Sequence, residues 1–184
     1  MLPARTASPR LARKTLNWKM TQVGITGHQR LDDPEAWSWV TGVMRVELSA
    51  VTPPLVGVTS LAIGADQLFA RLVLERGGKL HAVLPFADIE RSFFPAEVPV
   101  YRELVAQSTV EVLRTAGTDE DAYLAAGLRI VELSDVLFAV WDGKPAKGKG
   151  GTADVVSYAT SRRLPFVHID PISRTVTHDQ MERL

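Results

Sequence analysis

Strand-like and helix-like segments alternate along most of this chain, and this alternation limits the possible folds more than any other feature. The stretch Val136–Trp141 is nearly all apolar, as a strand covered by helices on both faces should be. We predict strands at Gln22–Gly27, Leu55–Ser60, Lys79–Phe86, Thr109–Arg114, Val136–Trp141 and Pro165–Ile169. We predict helices at Asp33–Ala50, Gly64–Arg76, Val100–Gln107, Asp119–Leu133 and Gly151–Arg163.

Strands that alternate with helices form right-handed crossovers and a parallel sheet. The sequence therefore predicts an α/β protein, a Rossmann-like three-layer α/β/α sandwich whose mainly parallel sheet has about six strands. We expect the fourth strand beside the third, which leaves the first and fifth strands flanking the point where strand order reverses. The chain after Ile169 is expected to fray.

The charge distribution separates a basic extension from an acidic body. Residues 1–20 hold five of the 21 basic residues and no acidic residue, so the body has a net charge of about −5. We predict a disordered extension over residues 1–20, although an Arg-rich, acid-poor segment also fits a transit peptide. Residues 21–184 are predicted to form a single Rossmann-like domain. An acidic body is a poor non-specific nucleic-acid binder, so a nucleic-acid partner is not expected.

Composition excludes other classes of site. The chain has no cysteine, and its four histidines are scattered without metal-ligand spacing, so we expect no metal and no cofactor. No apolar run approaches the roughly 18 residues that span a membrane. We therefore expect a cytoplasmic protein without a membrane partner.

Two glycine-bearing turns each follow a predicted strand and lead towards a helix. Backbone N–H groups and the helix dipole favour an anion at such a turn, so the pair predicts a nucleotide or sugar-phosphate site. His28 and Arg30 follow the glycines of the first turn and are placed to donate to an anion. Alternatively, Arg30 is a solvated loop residue and His28 a capping or packing residue. Asp142 ends a strand near the second turn, where Lys144, Lys147 and Lys149 are expected to be mostly solvated. The candidate residues in the turns are Gly24, Thr26, Gly27, His28 and Arg30 in the first, and Gly150, Gly151 and Thr152 in the second.

A third segment, Thr59–Asp66, also runs from a strand into a helix. Gly64 fits a tight helix entry, and the Ser60 hydroxyl can donate to a ligand. Asp66 either accepts from a ribose hydroxyl or bonds to the helix N-terminus.

These segments together resemble the SMF/DprA–LOG (SLOG) superfamily over about residues 22–171. Thr59–Asp66 resembles its S-G-x-A-x-G-[IA]-D turn, with Leu61 in place of glycine, and Gly24–Arg30 resembles a G-x-x-G-H-R turn with Gln29 inserted. Leu133–Gly143 followed by the second glycine turn resembles the late strand and turn of the same group and of nucleoside deoxyribosyltransferases. The resemblance implies a pocket for a nucleotide or nucleotide-derived ligand.

The same resemblance raises the question of catalysis. Related phosphoribohydrolases and deoxyribosyltransferases carry a glutamate where this chain has Val155, and the hydrolases carry an arginine that aligns with Ala126. A carboxylate there stabilises or attacks the sugar carbon. Asp154 is one residue away and should face elsewhere on a helix, while Arg129 lies one turn after Ala126.

Three hypotheses follow from these residues. The first is a superfamily member that binds a nucleotide without turnover. The second is an N-glycosidic hydrolase or transferase that uses Asp154 or Asp142 as the carboxylate, with Arg30 or Arg129 as the phosphate clamp. The third is an interaction module or a DNA-processing relative. Trp37 and Trp39 cannot share one face of the first helix, so one of them is expected to be exposed, and exposed tryptophans often mark protein contacts. Similar families dimerise through helices that flank the site, so a homodimer is expected.

Overall fold

The structure, a computed structural model, describes residues 20–146 and 148–179. Residues 1–19 of the proposed extension and Lys147 therefore lie outside the described residues. The elements are β1 (Thr21–Gly27), α1 (Pro34–Ala50), β2 (Leu55–Thr59), α2 (Ala65–Glu75), β3 (Lys79–Leu84), a 3₁₀ turn (Ile89–Ser92), α3 (Val98–Ala106), β4 (Ser108–Val112), α4 (Asp119–Leu133), β5 (Val136–Val140), α5 (Thr152–Ser161), β6 (Phe166–Asp170) and β7 (Thr175–Asp179).

All seven strands belong to one sheet in the order β4-β3-β2-β1-β5-β6-β7. Strands β1 to β6 are parallel, and β7 is antiparallel to β6. The α/β fold is confirmed, with β4 beside β3, and with β1 and β5 as neighbours where the strand order reverses. The expected fraying after Ile169 is wrong for residues 170–179, and residues 180–184 lie outside the described residues. Asp170 accepts hydrogen bonds from Ile172 N and from Ser173 N and Oγ, and the turn that they hold returns the chain as β7.

The helices form two layers, one on each face of the sheet. Helix α2 contacts both α1 and α3, whereas α4 contacts α5. This division follows from the crossovers, since β1 to β4 progress in one direction across the sheet and β5 to β7 in the other. The result is the predicted three-layer sandwich.

The buried faces follow the expected periodicities. Strands β2 and β5 are buried along their whole length, as central parallel strands should be. Helix α1 buries Ala36, Val40, Met44 and Leu48 at a spacing of four residues. Across the described part of the chain, every helix is too short or too polar to cross a bilayer.

Neither tryptophan of α1 is strongly exposed. Trp37 and Trp39 are both partly buried and pack against the main core cluster, so the helix does not present a tryptophan fully to solvent. The homodimer stays a prediction.

Helix N-termini differ in how their first N–H groups are capped. Helix α1 is capped by the Asp33 carboxylate, and α4 by a reciprocal capping box between Thr118 and Asp121. Helices α2 and α5 instead have Gly64 and Gly151 as N-cap residues, and neither has a side-chain cap. Both glycines lie at the carboxyl edge of the sheet, which is the edge where α/β folds bind ligands.

Candidate functional site

The candidate site lies where the carboxyl ends of β1 and β5 meet. Gly27 and Val140 end these neighbouring strands in register. The chain leaves β1 towards one helical layer and β5 towards the other. We call the region between these two connections the crevice, because α/β folds bind their ligands there.

The two glycines of the first turn have packing roles. Gly24 lies inside β1 and not in the turn, and a Cβ atom there would be 2.3 Å from Ser134 Oγ. A Cβ atom at Gly27 would be 2.6 Å from the Cβ atom of Ala65. Gly24 therefore lets α4 approach the sheet, and the expectation that it contacts a phosphate is corrected by its place within the strand. Thr26 is the last but one residue of β1 and is partly buried.

His28 and Asp142 join the two sides of the crevice. The backbone N–H of Asp142 lies 3.2 Å from His28 Nε2, and the Asp142 carboxylate lies 3.3 Å from the same nitrogen. Burial alone raises the pKa of Asp142, but hydrogen bonds from Lys144 and the nearby His28 bring it below its ordinary value. Asp142 is therefore an ionised acceptor at neutral pH.

The Thr59–Asp66 segment is organised around one buried carboxylate. Asp66 Oδ2 accepts hydrogen bonds from Ser60 N at 2.9 Å, Ser60 Oγ at 2.7 Å and Thr59 Oγ1 at 3.0 Å. Leu61 adopts φ +57°, in the left-handed region where the resembling turn has glycine, and its side chain is fully buried. Asp66 therefore bonds to the turn that precedes α2, and not to the helix N-terminus as one of its two predicted roles required. Acceptance from a ribose hydroxyl stays a prediction.

The first turn covers the beginning of α2. Gly64 adopts φ +83°, and Ala65 N donates a hydrogen bond of 3.1 Å to the His28 carbonyl. A Cβ atom at Gly64 would lie 2.4 Å from the Gln29 carbonyl oxygen. Part of the N-terminus of α2 is thus occupied by protein.

Stability should depend on pH through Asp66. Burial raises its pKa from 3.8 to about 6, against the hydrogen bonds from Ser60 and Thr59 that lower it. The folded protein then binds this proton more tightly than the unfolded chain, so the free energy of unfolding should rise as pH falls from 7 to 4. The gain is at most about 3 kcal/mol. Urea unfolding at each pH should show it, and Asp66→Asn should lack it. A difference between the two proteins that does not change with pH would contradict this assignment.

The second glycine turn leads into α5. Gly150 adopts φ +85°, and a Cβ atom there would be 2.7 Å from Leu124 N of α4. Its N–H donates to Asp154 Oδ2 at 2.9 Å, so Asp154 fastens the turn. Lys149 pairs with Asp121 of α4, and this contact with the Thr118 hydrogen bonds lowers the pKa of Asp121 to about 2. The turn is therefore anchored on α4.

The positions that would carry catalysis are apolar and buried. Val155 is 2% exposed, and it lies in the same apolar cluster as Ala126. Arg129 pairs with Glu111 at 2.9 Å and with Glu132 at 3.4 Å. Both of those partners lie outside the glycine turns. The structure therefore does not bring Arg129 together with Asp142 or Asp154.

Sequence reasoning missed the contribution of residues 86–97. Arg30 pairs with Glu97 at 2.9 Å, and its guanidinium lies over the Phe94 ring. At the other side of the segment, Arg91 pairs with Asp119 of α4 at 2.6 Å. The clustered phenylalanines of this proline-containing stretch were the available signal, but their partners are distant in sequence.

These contacts link the segments one to the next, and we call this series of segments the rim. The rim runs from the first turn through residues 86–97 to the start of α4, then to the second glycine turn and the end of β5. His28 and Asp142 close it. In the residues that the structure describes, no three His, Asp or Glu side chains are grouped so as to hold a metal ion. The site is therefore built from glycine turns, ion pairs and aromatic rings.

Fold and site together define a Rossmann-like α/β protein with glycine turns at the strand switch point. Scans against protein-family models and curated proteins found no match. DNA processing protein A (DprA) of Streptococcus pneumoniae superposes with a TM-score of 0.60 at 18% identity, over 82% of this chain and 50% of that one. The Helicobacter pylori protein, described with a single-stranded DNA binding mode, gives 0.58 at 18% identity, over 82% and 65%.

A molybdenum cofactor binding protein from Rippkaea orientalis has a TM-score of 0.51 at 16% identity, over 82% of this chain and 77% of that one. These similarities confirm the predicted resemblance to the SMF/DprA–LOG superfamily at the level of the fold. The chain spans about half the length of the pneumococcal DprA chain and 65% of the Helicobacter one.

Proposed function

We propose that this protein binds a nucleotide or nucleotide-derived ligand in the crevice between β1 and β5. The observation that carries the proposal is the start of α5, where a glycine turn leads into a helix without a side-chain cap. The unpaired N–H groups and dipole of such an N-terminus attract an anion. At α2 the His28 carbonyl already accepts from Ala65 N, the first N–H group of the helix. At α5 the Asp154 carboxylate accepts from Gly150 N, which precedes the N-cap Gly151, so we place the phosphate at the first N–H groups of α5.

Polar groups beside this turn suit the rest of a nucleotide. Thr152 is the first residue of α5 and carries a hydroxyl donor. Asp142, ionised and only partly buried, is an acceptor for a sugar hydroxyl, and His28 lies beside it. The proposal assigns these three side chains to the ligand.

The competing hypothesis is hydrolysis or transfer at an N-glycosidic bond. Asp154 is the carboxylate nearest to the expected position, but it is engaged with Gly150 N. Arg129 is engaged with Glu111. These contacts favour binding over turnover, and chromatography of each ligand after incubation tests the point directly. Release of a free base from a nucleoside monophosphate would establish the enzyme instead.

Thr152→Glu should abolish ligand binding without weakening the fold. The first turn of α5 already carries Asp154, whose carboxylate is bonded to Gly150 N. A second carboxylate at the first position of the helix would repel a bound phosphate, while the helix dipole stabilises the folded protein. Ligand at 100 times its Kd should stabilise the wild type by about 2.7 kcal/mol in a thermal-shift screen of nucleotides, and the variant by almost nothing.

Ser157→Glu is the matched control, since it adds the same charge at an exposed position of the same helix. It should bind as the wild type does. If Thr152→Glu keeps the wild-type shift, the phosphate does not lie at α5. If no nucleotide shifts the wild type, the proposed function is wrong.

A further inference from the structure

We propose that Phe94 and Arg30 form a stacking surface for the nucleobase of the ligand. This inference rests on the proposed function and deepens it, since it assigns the base to a particular part of the rim. The chemical class required is a flat, π-bearing heterocycle, supplied either by a mononucleotide or by a single-stranded nucleic acid.

One carboxylate holds the Arg30 side chain and the Phe94 backbone together. The guanidinium carbon of Arg30 lies 4.9 Å from the centre of the Phe94 ring. Glu97 Oε1 accepts from Arg30 Nη2 at 2.9 Å, while Glu97 Oε2 accepts from the backbone N–H of Phe94 at 2.8 Å. The surface is therefore formed before a ligand arrives, which reduces the entropy lost on binding.

Phe94 is exposed, whereas the aromatic residues near it in the sequence pack against other rings. Phe86 stacks edge-on with Tyr123 at 5.5 Å, and Phe93 does so with Tyr101 at 5.1 Å. Phe94 instead leaves 65% of its surface in solvent, with Arg30 over its ring.

An exposed ring beside an ordered guanidinium suits stacking with any base. Each base presents a π-face to the ring, and arginine adds a cation–π contribution. The pair therefore favours a base without selecting which one, and selectivity would come from other groups on the rim.

The position of the pair fits a ligand whose phosphate lies at α5. Arg30 is two residues after His28, so their Cα atoms are at most about 7.6 Å apart. His28 in turn contacts Asp142 across the crevice. The stacking surface and the phosphate turn thus lie on the same rim, on the two sides of the His28–Asp142 contact.

The test uses the full chain and 2-aminopurine, whose fluorescence is quenched when it stacks on an aromatic ring. The probes are 2-aminopurine riboside 5′-monophosphate, a short single-stranded oligonucleotide that contains 2-aminopurine, and ribose 5-phosphate, which has no base. Phe94→Ala should weaken the binding of the two base-bearing probes by about 5- to 150-fold. It should leave the affinity for ribose 5-phosphate unchanged, and Phe94→Trp should restore quenching.

Val46→Ala is the matched control, because Val46 is an equally exposed apolar residue, at 66%, on α1 away from the rim. Two results together would overturn the stacking surface and leave the proposed function standing. The first is that Phe94→Ala binds base-bearing probes as tightly as the wild type does. The second is that Thr152→Glu loses binding. Absence of binding to every probe by the wild type would overturn both. Quenching by the oligonucleotide alone would identify single-stranded nucleic acid as the source of the base.

Discussion

Gly64→Ala will lower the free energy of unfolding by about 2–5 kcal/mol. Its φ of +83° is a backbone conformation that side chains rarely adopt, and the new Cβ atom would lie 2.4 and 2.6 Å from the carbonyl oxygens of Gln29 and His28. Backbone atoms cannot move aside as a flexible side chain can. The first turn would have to lift from the start of α2, so ligand binding should fall as well.

Gly77→Ala separates the two causes. Gly77 has a similar φ of +74°, but nothing lies within 4 Å of the Cβ atom that would be added. Its cost should be the backbone strain alone, about 1–2 kcal/mol. Urea unfolding followed by circular dichroism measures both variants. Equal destabilisation of the two variants would show that the close approach of the first turn to α2 does not add to the cost of Gly64→Ala.

Val155→Glu will destabilise the protein by about 3–5 kcal/mol, and it will not create a hydrolase. Val155 is 2% exposed, and it contacts Gly127 of α4 so closely that a Cβ atom on Gly127 would lie 2.4 Å from Val155 Cγ2. A glutamate there would place its carboxylate inside the apolar cluster that contains Val155. The glutamate of the enzymes that the sequence resembles therefore has no equivalent in this interior.

Ser157→Glu serves again as the control, because it adds the same side chain at an exposed site on α5. Denaturant unfolding gives the stability, and chromatography of nucleoside monophosphates gives the activity. A folded Val155→Glu protein that releases free base would show that α5 can turn this position towards the ligand.

The architecture was readable from the sequence because its rules are local and general. Apolar runs marked the buried strands, and the alternation with helices required parallel crossovers. The neighbouring positions of β1 and β5 then followed from where the strand order must reverse. Strand β7 was not predicted because Thr175–Asp179 is short and mostly polar, and because it pairs at an edge of the sheet.

Residue roles were less readable, because they depend on distant partners. Gly24 has the same local pattern as a turn glycine, yet its neighbour is Ser134, more than 100 residues away. Leu61 shows that a left-handed position need not be glycine. Phe94 gave no periodic signal, since its environment is set by Arg30 and Glu97.

The β1–β5 pair also determines how the chain can be divided. Asp135 Oδ2 accepts from Gln22 N where β5 begins, and His28 contacts Asp142 where β5 has ended. The two strands are thus fastened at both ends by contacts that span more than 100 residues. Such long loop closures slow folding. A fragment that stops before α4 would expose one whole edge of β1, an apolar central strand, and would be expected to aggregate through that edge.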